Sequence, residues 1–491
     1  MTKILWIFLV FAVLPFSFLE ARSFYINPAT GNDANKGISA NQPWQTLQKI
    51  NDSSFVPGDS ILFARGTVFH GQLKIHVQGD KKKIILFSSY GHGSMPIIAA
   101  DGQFEEAVLL YNSSYVAVKY LEITNTGITR KPLRKGVYLF LDNYGEARQI
   151  CLDHLYIHDV NGSNNKAQGG GAGISWDNRG NKVKSRFDGL LIENCKLART
   201  DRNGITGGGY TNRNNWYPNL HVVIRGNDLC DFGGDGIVPI GCDGAIVEYN
   251  RLIKGGQRFP EGDASAGIWP WSCDNTLIQY NEVAYMAGPW DSQGYDSDWN
   301  CKHSVFQYNY SHDNLGGFFL ICSPTQGNEA GNSGTVIRDN ISYNDGGRIT
   351  WKNAGFSPIF HITGPVKNIR IYHNIVIRDR PVNPKEDKSL ITFNTWGGDW
   401  PTHISFIHNY FLTTDTFTCK YGKATHYFFS KNSWRGHFVN CPEESVVDNT
   451  PINDPLWNNW NAQKLSSLFR DYKNEKLTLK SLFDTLRLNK H

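Results

Sequence analysis

One short motif recurs along most of the chain: an apolar residue followed three positions later by asparagine. Subtracting successive asparagine numbers gives intervals of 33, 23, 31, 28, 31, 34 and 35 residues. Repeats of this length and irregularity are typical of a solenoid, in which each repeat forms one coil stacked on the last. The instances are Leu191/Asn194, Ile224/Asn227, Val247/Asn250, Ile278/Asn281, Phe306/Asn309, Ile337/Asn340, Ile371/Asn374 and Phe406/Asn409.

The segments between these asparagines predict strands and turns. Short apolar runs such as Thr276–Tyr280 and Val305–Tyr308 alternate with breaks rich in Gly, Asn and Asp, and the chain holds 48 Gly but only 3 Met. This pattern favours β-strands over amphipathic helices. Asparagine tolerates left-handed backbone angles and can bond a stacked neighbour. One asparagine per coil therefore predicts a row of stacked asparagines.

Cysteines supply a second, independent marker of the coil. The intervals Cys242 to Asn250, Cys273 to Asn281 and Cys301 to Asn309 are each 8 residues, so insertions must fall elsewhere in the coil. They fall before one strand of each coil, which is thus flanked by long loops. The recurrence, continued by Cys322, predicts buried stacked thiols. Nine cysteines leave at least one unpaired thiol, and Cys419 with Cys441 is only a weak disulfide candidate.

The N-terminal third carries a family resemblance. The segments 24–28 (FYINP), 31–33 (GND), 43–47 (PWQTL) and 57–59 (PGD) resemble the N-terminal signature of the pectate-lyase-like parallel β-helix proteins. The resemblance implies an all-β fold, a right-handed three-sheet parallel β-helix, with a short capping helix at Trp44–Ile50. It also implies that substrate lies along the outside of the first sheet. This scaffold carries lyases, glycosidases, epimerases, esterases and noncatalytic spikes.

Three segments are expected along the chain. Residues 1–21 read as a secretory signal peptide, because Lys3 precedes an apolar run, Ile4–Leu14, that is too short to span a membrane. Residues 22–450 form the β-helix domain. Residues 451–491 lose the repeat and are expected to form a C-terminal cap. We therefore expect a secreted protein, periplasmic or extracellular, that is not tethered to a membrane.

The charge balance limits the range of partners. The formal net charge is +4, which gives no nucleic-acid-binding footprint. A polysaccharide or glycan is the expected partner. Nothing in the sequence sets the oligomeric state.

Two aspartates form the leading catalytic candidate. When the coils are aligned on cysteine, Ile268 and Pro270 of one coil become Asp296 and Asp298 in the next. Residues two apart on a strand share a face, and burying two unpaired carboxylates would cost several kcal/mol each. An outward direction is therefore favoured, although Ile268 would then also point outward unless the strand bends or bulges.

Paired carboxyl groups suit glycoside hydrolysis, in which one protonates the leaving oxygen and the other attacks carbon or activates water. The same residues would also suit calcium binding or turn capping. Asp263 and Asp235, like Asp201 and Asp291, precede strands of the first sheet, and any could supply the second carboxyl group. Asp235 lies in a Gly-Asp-Gly segment, and its preferred interpretation is an ordinary turn residue.

Aromatic and basic residues near the pair complete the candidate site. Half of the tryptophans could instead fill the core, because alternate strand residues point inward. The predicted substrate-binding residues are Trp269, Trp271, Trp290, Trp299, Arg202, Lys302 and His303.

Two further functions remain open on the sequence. The basic residues would also serve a polysaccharide lyase, which performs β-elimination on a uronate polymer with bound Ca²⁺. The third alternative is a noncatalytic glycan-binding β-helix. The leading hypothesis, a glycoside hydrolase, needs no cofactor. The histidines, including His303, His312 and His361, lack the spacing of a zinc site, so no metal site is predicted.

Overall fold

The computed structural model describes residues 20–258, 262–441, 468, 471 and 478–485. Nearly all of the predicted signal peptide and most of the predicted C-terminal cap lie outside these residues. Within them, no helix is both long and apolar enough to cross a bilayer.

The described chain is almost entirely β-structure. Two α-helices occur, α1 (Leu47–Asn51) and α2 (Leu479–Thr485). The strands in chain order are β1 Ser23–Ile26, β2 Ser60–Ala64, β3 Val68–His70, β4 Leu73–Ile75, β5 Ile85–Tyr90, β6 Ile97–Ala99, β7 Glu106–Tyr111, β8 Val116–Lys119, β9 Glu122–Asn125, β10 Lys135–Asp142, β11 Glu146–Asp153, β12 Tyr156–Val160, β13 Ala172–Arg179, β14 Arg186–Glu193, β15 Lys196–Thr200, β16 Asn203–Thr206, β17 Asn219–Leu220, β18 Val223–Arg225, β19 Asp228–Cys230, β20 Ile237–Val238, β21 Cys242–Asp243, β22 Ile246–Glu248, β23 Arg251–Ile253, β24 Leu277–Gln279, β25 Glu282–Ala284, β26 Gln293–Ser297, β27 Cys301–Lys302, β28 Val305–Gln307, β29 Tyr310–His312, β30 Gly317–Cys322, β31 Asn332–Ser333, β32 Val336–Arg338, β33 Ile341–Tyr343, β34 Phe360–Thr363, β35 Val366–Tyr372, β36 Ile375–Arg378, β37 Ser389–Asn394, β38 Thr402–Ile407, β39 Tyr410–Lys420, β40 Thr425–Ser430 and β41 Ser433–Val439.

These strands stack into three parallel sheets, which confirms the predicted right-handed parallel β-helix. One sheet, called the site sheet below, runs through β4, β7, β10, β13, β16 and β20. It continues through single bridges at Ile268 into β26, β30, β34 and β37. The apolar core runs along the axis between the three sheets, where inward residues of every strand are buried.

The predicted asparagine row is present as a continuous ladder. From Asn227 to Asn409, each ladder asparagine donates its main-chain N–H and its Nδ2 to the Oδ1 of the asparagine in the next coil, over 2.9–3.1 Å. The members are Asn227, Asn250, Asn281, Asn309, Asn340, Asn374, Asn409 and Asn432.

The prediction for Asn194 was wrong by one residue. Its backbone is left-handed and aligns with Gly226, because Glu193 pairs with Arg225. Its neighbour Cys195 takes the ladder position instead, and the main-chain N–H of Cys195 donates to Asn227. The motif of an apolar residue and asparagine thus fits two adjacent turn positions.

The stacked thiols are confirmed for three cysteines. Cys242, Cys273 and Cys301 are fully buried, and the N–H of Cys242 donates to the sulfur of Cys273 at 3.3 Å. Cys322 does not continue this row, because Cys301 pairs with Asn332 in the next coil. Cys322 instead ends β30 in the site sheet.

One short helix lies at the N-terminal end of the described solenoid, and another lies along its side. Helix α1 buries Leu47 and Ile50 and is capped by Thr46, whose hydroxyl accepts from the N–H of Lys49. The capping helix is therefore confirmed, although it begins three residues later than predicted. In α2, Leu482 packs against the outside of β29 and β33, so this turn of helix lies along the side of the solenoid.

Candidate active site

A one-residue shift in register turns the acid pair outward. Ile268 pairs with Tyr295, not with Asp296, and the N–H of Asp296 donates to the Ile268 carbonyl at 3.2 Å. From Tyr295 to Cys301 the chain has one residue more than from Ile268 to Cys273. Tyr295 consequently fills the core at 0% exposure, and Asp296 points to the opposite side. The cysteine-based alignment was wrong for this strand, while the outward direction of the aspartates is confirmed.

The outer face of the site sheet holds a cavity of about 450 Å³, called the main cavity below. A volume in this range suits a small ligand. Its lining is acidic and aromatic, with three basic side chains at its walls. The lining side chains include Asp235, Asp291, Asp296, Asp298, Trp269, Trp271, Trp299, Trp396, Lys135, Lys166 and Arg202.

Asp298 is the carboxyl group whose environment best suits a proton donor. It accepts hydrogen bonds from the N–H of Trp299 at 2.6 Å and from the thiol of Cys322 at 2.9 Å. Burial raises the pKa of Asp298 to about 6, even though both bonds and nearby Lys166 favour its ionised form. A carboxyl group with such a pKa can both give and take a proton near neutral pH.

Asp296 is a buried carboxyl group with an unpaired oxygen, Oδ1, in the described part of the chain. Burial raises its pKa well above the ordinary value, and repulsion from Asp291, Asp298 and Asp235 adds to this. Burial and these like charges therefore favour the neutral form of the Asp296 carboxyl group.

Asp291 lies on a strained turn at the cavity wall. Asp291 and Ser292 both have left-handed backbone angles, with φ of 48° and 66°. Strained non-glycine backbone of this kind costs about 1–3 kcal/mol per residue and is concentrated at functional sites. Arg348 holds the turn by donating to the Asp291 carbonyl. Burial raises the pKa of Asp291, whereas the charges of Lys166 and Arg348 oppose this shift and favour its ionised form.

Asp235 is held in a buried network. Arg202 donates to its Oδ2 at 2.5 Å, and both side chains are almost completely buried. Its Oδ1 accepts from the Trp269 indole at 3.1 Å and from the N–H of Ala266 at 3.0 Å. These bonds occupy the carboxylate and fix a tryptophan at the cavity wall. They favour a positioning role for Asp235 over proton transfer.

The other predicted residues divide between the cavity and its surroundings. Trp269, Trp271, Trp299 and Arg202 line the main cavity. Asp263 is not among its lining residues, and it accepts from the N–H of Lys166, which anchors the loop that carries this lysine. Trp290 lines a neighbouring cavity instead.

Lys302 and His303 do not belong to the main cavity. Lys302 lies in β27, which pairs with β31 in the largest sheet rather than in the site sheet, and His303 follows it. The chain leaves the site sheet after Ser297 and has already turned the corner of the coil at Asn300. The prediction that these residues share the groove with the acid pair is therefore corrected.

Three charged or aromatic residues of the main cavity were not predicted from the sequence: Lys135, Lys166 and Trp396. Lys166 lies in the loop before β13, and Trp396 follows β37. Both belong to inserted segments, where no repeat register marks a position. Among the described residues, no group of three or more His, Cys, Asp or Glu side chains is placed to hold a metal ion.

Comparisons with known proteins found similarity to lacto-N-biosidases. No protein-family profile matches the chain. A lacto-N-biosidase of Bifidobacterium longum subsp. longum is 30% identical over 420 residues, which cover 66% of this chain. The match covers 26% of that relative, so the chain spans about a quarter of its length.

Two solved structures are also similar. The crystal structure of the GH136 lacto-N-biosidase from Eubacterium ramulus matches with 27% identity and a TM-score of 0.62, over 78% of this chain and 68% of that one. Its selenomethionine derivative matches with 26% identity and a TM-score of 0.63, over 85% and 68%. With the three stacked sheets, these matches support the right-handed parallel β-helix fold.

Proposed function

We propose that this chain is a glycoside hydrolase that cleaves glycans carrying lacto-N-biose units in the main cavity. The observation that carries the proposal is the set of aspartates that line one cavity, where burial raises the pKa of Asp291, Asp296 and Asp298. The similarity to lacto-N-biosidases supports both the reaction and the sugar. Trp269, Trp271 and Trp299 offer flat faces on which sugar rings can stack.

The roles of the carboxyl groups follow from their surroundings. Asp298, with a pKa of about 6, protonates the glycosidic oxygen as the bond breaks. Asp291, facing Lys166 and Arg348, is the ionised group that attacks the sugar carbon or activates water. Asp296 is neutral and donates a hydrogen bond to the substrate. The sequence-based pair, Asp296 and Asp298, is the alternative assignment, and single Asn variants at the three positions separate the two.

The test is hydrolysis of a chromogenic aryl lacto-N-bioside by the purified protein, with a uronate polymer assayed in parallel. We expect new reducing ends from the lacto-N-bioside only. A variant with Asp298→Asn should lose turnover by about 10²–10⁴-fold, the usual contribution of a general acid. Ultraviolet absorbance of an unsaturated sugar from the polymer would identify a lyase instead. Glycan binding without turnover would identify a binding protein.

We also propose that the protein is exported. The support is the apolar run Ile4–Leu14 after Lys3 and a substrate class, glycans, that is met outside the cell. The mature N-terminus of the protein recovered from culture medium or periplasm should then lie near residue 22. Recovery of a chain that still begins at Met1, solely from the cytoplasm, would overturn this.

A further inference from the structure

We propose that a second cavity beside Asp291 binds a further, uncharged pyranose unit of the glycan, beyond the sugars held in the main cavity. This inference rests on the proposed function. The second cavity measures about 430 Å³ and shares Asp291, Ala264 and Trp396 with the main cavity. A glycan bound across Asp291 would therefore reach both spaces.

Three buried polar atoms at this second cavity have no hydrogen-bond partner in the described chain. They are Gln293 Oε1, Arg348 Nε and His361 Nε2. Their side chains are 1–3% exposed. Buried polar atoms are nearly always paired, and each unpaired one costs about 1–3 kcal/mol. The three residues all line the cavity, so a ligand entering it can supply the missing bonds.

The chemistry of these atoms matches hydroxyl groups. Gln293 Oε1 can only accept, whereas Arg348 Nε can only donate. A sugar hydroxyl does both, so a single ring can satisfy an acceptor and a donor at once. Two tryptophans complete the cavity: Trp290 and Trp396 are 41% and 54% exposed. Large, rigid aromatic faces open to solvent beside unpaired polar atoms are what a pyranose ring requires.

The charges around the cavity select an uncharged sugar. The Arg348 guanidinium already faces the Asp291 carboxyl group, which lines the same cavity. Burial lowers the pKa of His361 to about 4, so its ring is neutral at physiological pH. A sugar carboxylate in this cavity would lie near the Asp291 carboxyl group, and like charges repel strongly in a buried site.

The experiment compares a short and a long substrate. The probes are an aryl lacto-N-bioside and a tetrasaccharide that ends in lacto-N-biose. For Trp290→Ala and His361→Ala, we expect kcat/KM to fall about tenfold on the tetrasaccharide, as loss of one stacking or hydrogen-bonding contact implies. On the aryl glycoside it should change less than about twofold. The control is Tyr249→Ala, which removes an exposed ring from another face.

Equal losses on both probes, or none on either, would overturn the inference. Since the buried His361 variant can fail to fold, the exposed Trp290 variant carries the same test. Titration calorimetry with the tetrasaccharide separates this inference from the proposed function. If the wild-type protein hydrolyses neither probe, the hydrolase proposal fails. The second cavity still stands in that case only if Trp290→Ala weakens tetrasaccharide binding and Tyr249→Ala does not.

Discussion

The asparagine ladder and the main cavity occupy the same coils, but they differ in how far their buried polar groups are hydrogen-bonded. In the ladder, Asn281 Oδ1 accepts two hydrogen bonds from Asn250, and the donors of Asn281 reach Asn309 in turn. In the cavity, Asp296 Oδ1 and two nitrogens of Arg202 have no partner in the described chain. Buried polar groups that are hydrogen-bonded stabilise a fold, whereas unpaired ones can form their hydrogen bonds with a ligand. The difference separates scaffold from site.

The largest expected effect is on the cavity side. Asp291→Asn should lower kcat on an aryl lacto-N-bioside by about 10³-fold or more, because the group proposed to attack carbon or activate water is lost. Far-ultraviolet circular dichroism should remain that of the wild type. Asp188→Asn, in the largest sheet, is the matched control and should keep full turnover. An Asp291→Asn enzyme within tenfold of the wild type would remove Asp291 from the mechanism.

On the ladder side, Asn281→Ala should destabilise the fold without touching the cavity. It leaves the N–H and Nδ2 of Asn250 without an acceptor, so the free energy of unfolding should fall by about 3 kcal/mol. Urea unfolding measures this. The exposed Asn181 gives the control, since Asn181→Ala should change the free energy by less than about 0.5 kcal/mol. Similar changes in the free energy of unfolding for both variants would mean that the ladder hydrogen bonds do not stabilise the fold.

For Asp296 we expect the opposite effect: its substitution should raise the free energy of unfolding. Because burial raises the pKa of Asp296 in the folded state, the wild-type fold loses stability as pH rises above the unfolded pKa of about 4. Asp296→Asn removes this penalty. At pH 7 its free energy of unfolding should exceed that of the wild type, and the gap should close near pH 4. A destabilised variant at pH 7 would show that the charge is compensated.

The smallest expected effect concerns Cys322. Its thiol bond lowers the pKa of Asp298, so Cys322→Ala should raise that pKa. If Asp298 donates the proton, activity falls as pH rises through its pKa, near 6 in the wild type. The alkaline limb of the pH–rate profile should therefore move to higher pH in the variant, by less than about one pH unit. An alkaline limb that stays at the same pH or moves to lower pH would contradict the effect of the Cys322 thiol on Asp298.

The sequence predicted the scaffold well because every coil repeats the same physical requirement. The buried amide at one turn of each coil must be hydrogen-bonded, so one asparagine recurs in the sequence for each coil. The failure at Asn194 shows the limit: an asparagine at a left-handed turn and one in the ladder produce the same local pattern. Tertiary register, not local preference, decides between them.

The site was predicted only in part because it depends on departures from the repeat. The acid pair was visible, since aspartate replaces apolar residues at one coil. Its direction depended on a single extra residue before Cys301, which alignment on cysteine concealed. Lys166 and Trp396 come from inserted segments with no register to follow. Lys302 was misplaced because the chain turns a corner at Asn300, directly before the segment of constant length.

Asp298→Asn offers the most direct test, because one sample reports both turnover and stability. At pH 7 the folded wild type holds this carboxyl group largely ionised against a raised pKa, at a cost of about 1–3 kcal/mol. We predict that the variant loses hydrolysis of the aryl lacto-N-bioside while its free energy of unfolding at pH 7 increases. Retained hydrolysis, or a free energy of unfolding below that of the wild type, would contradict the account.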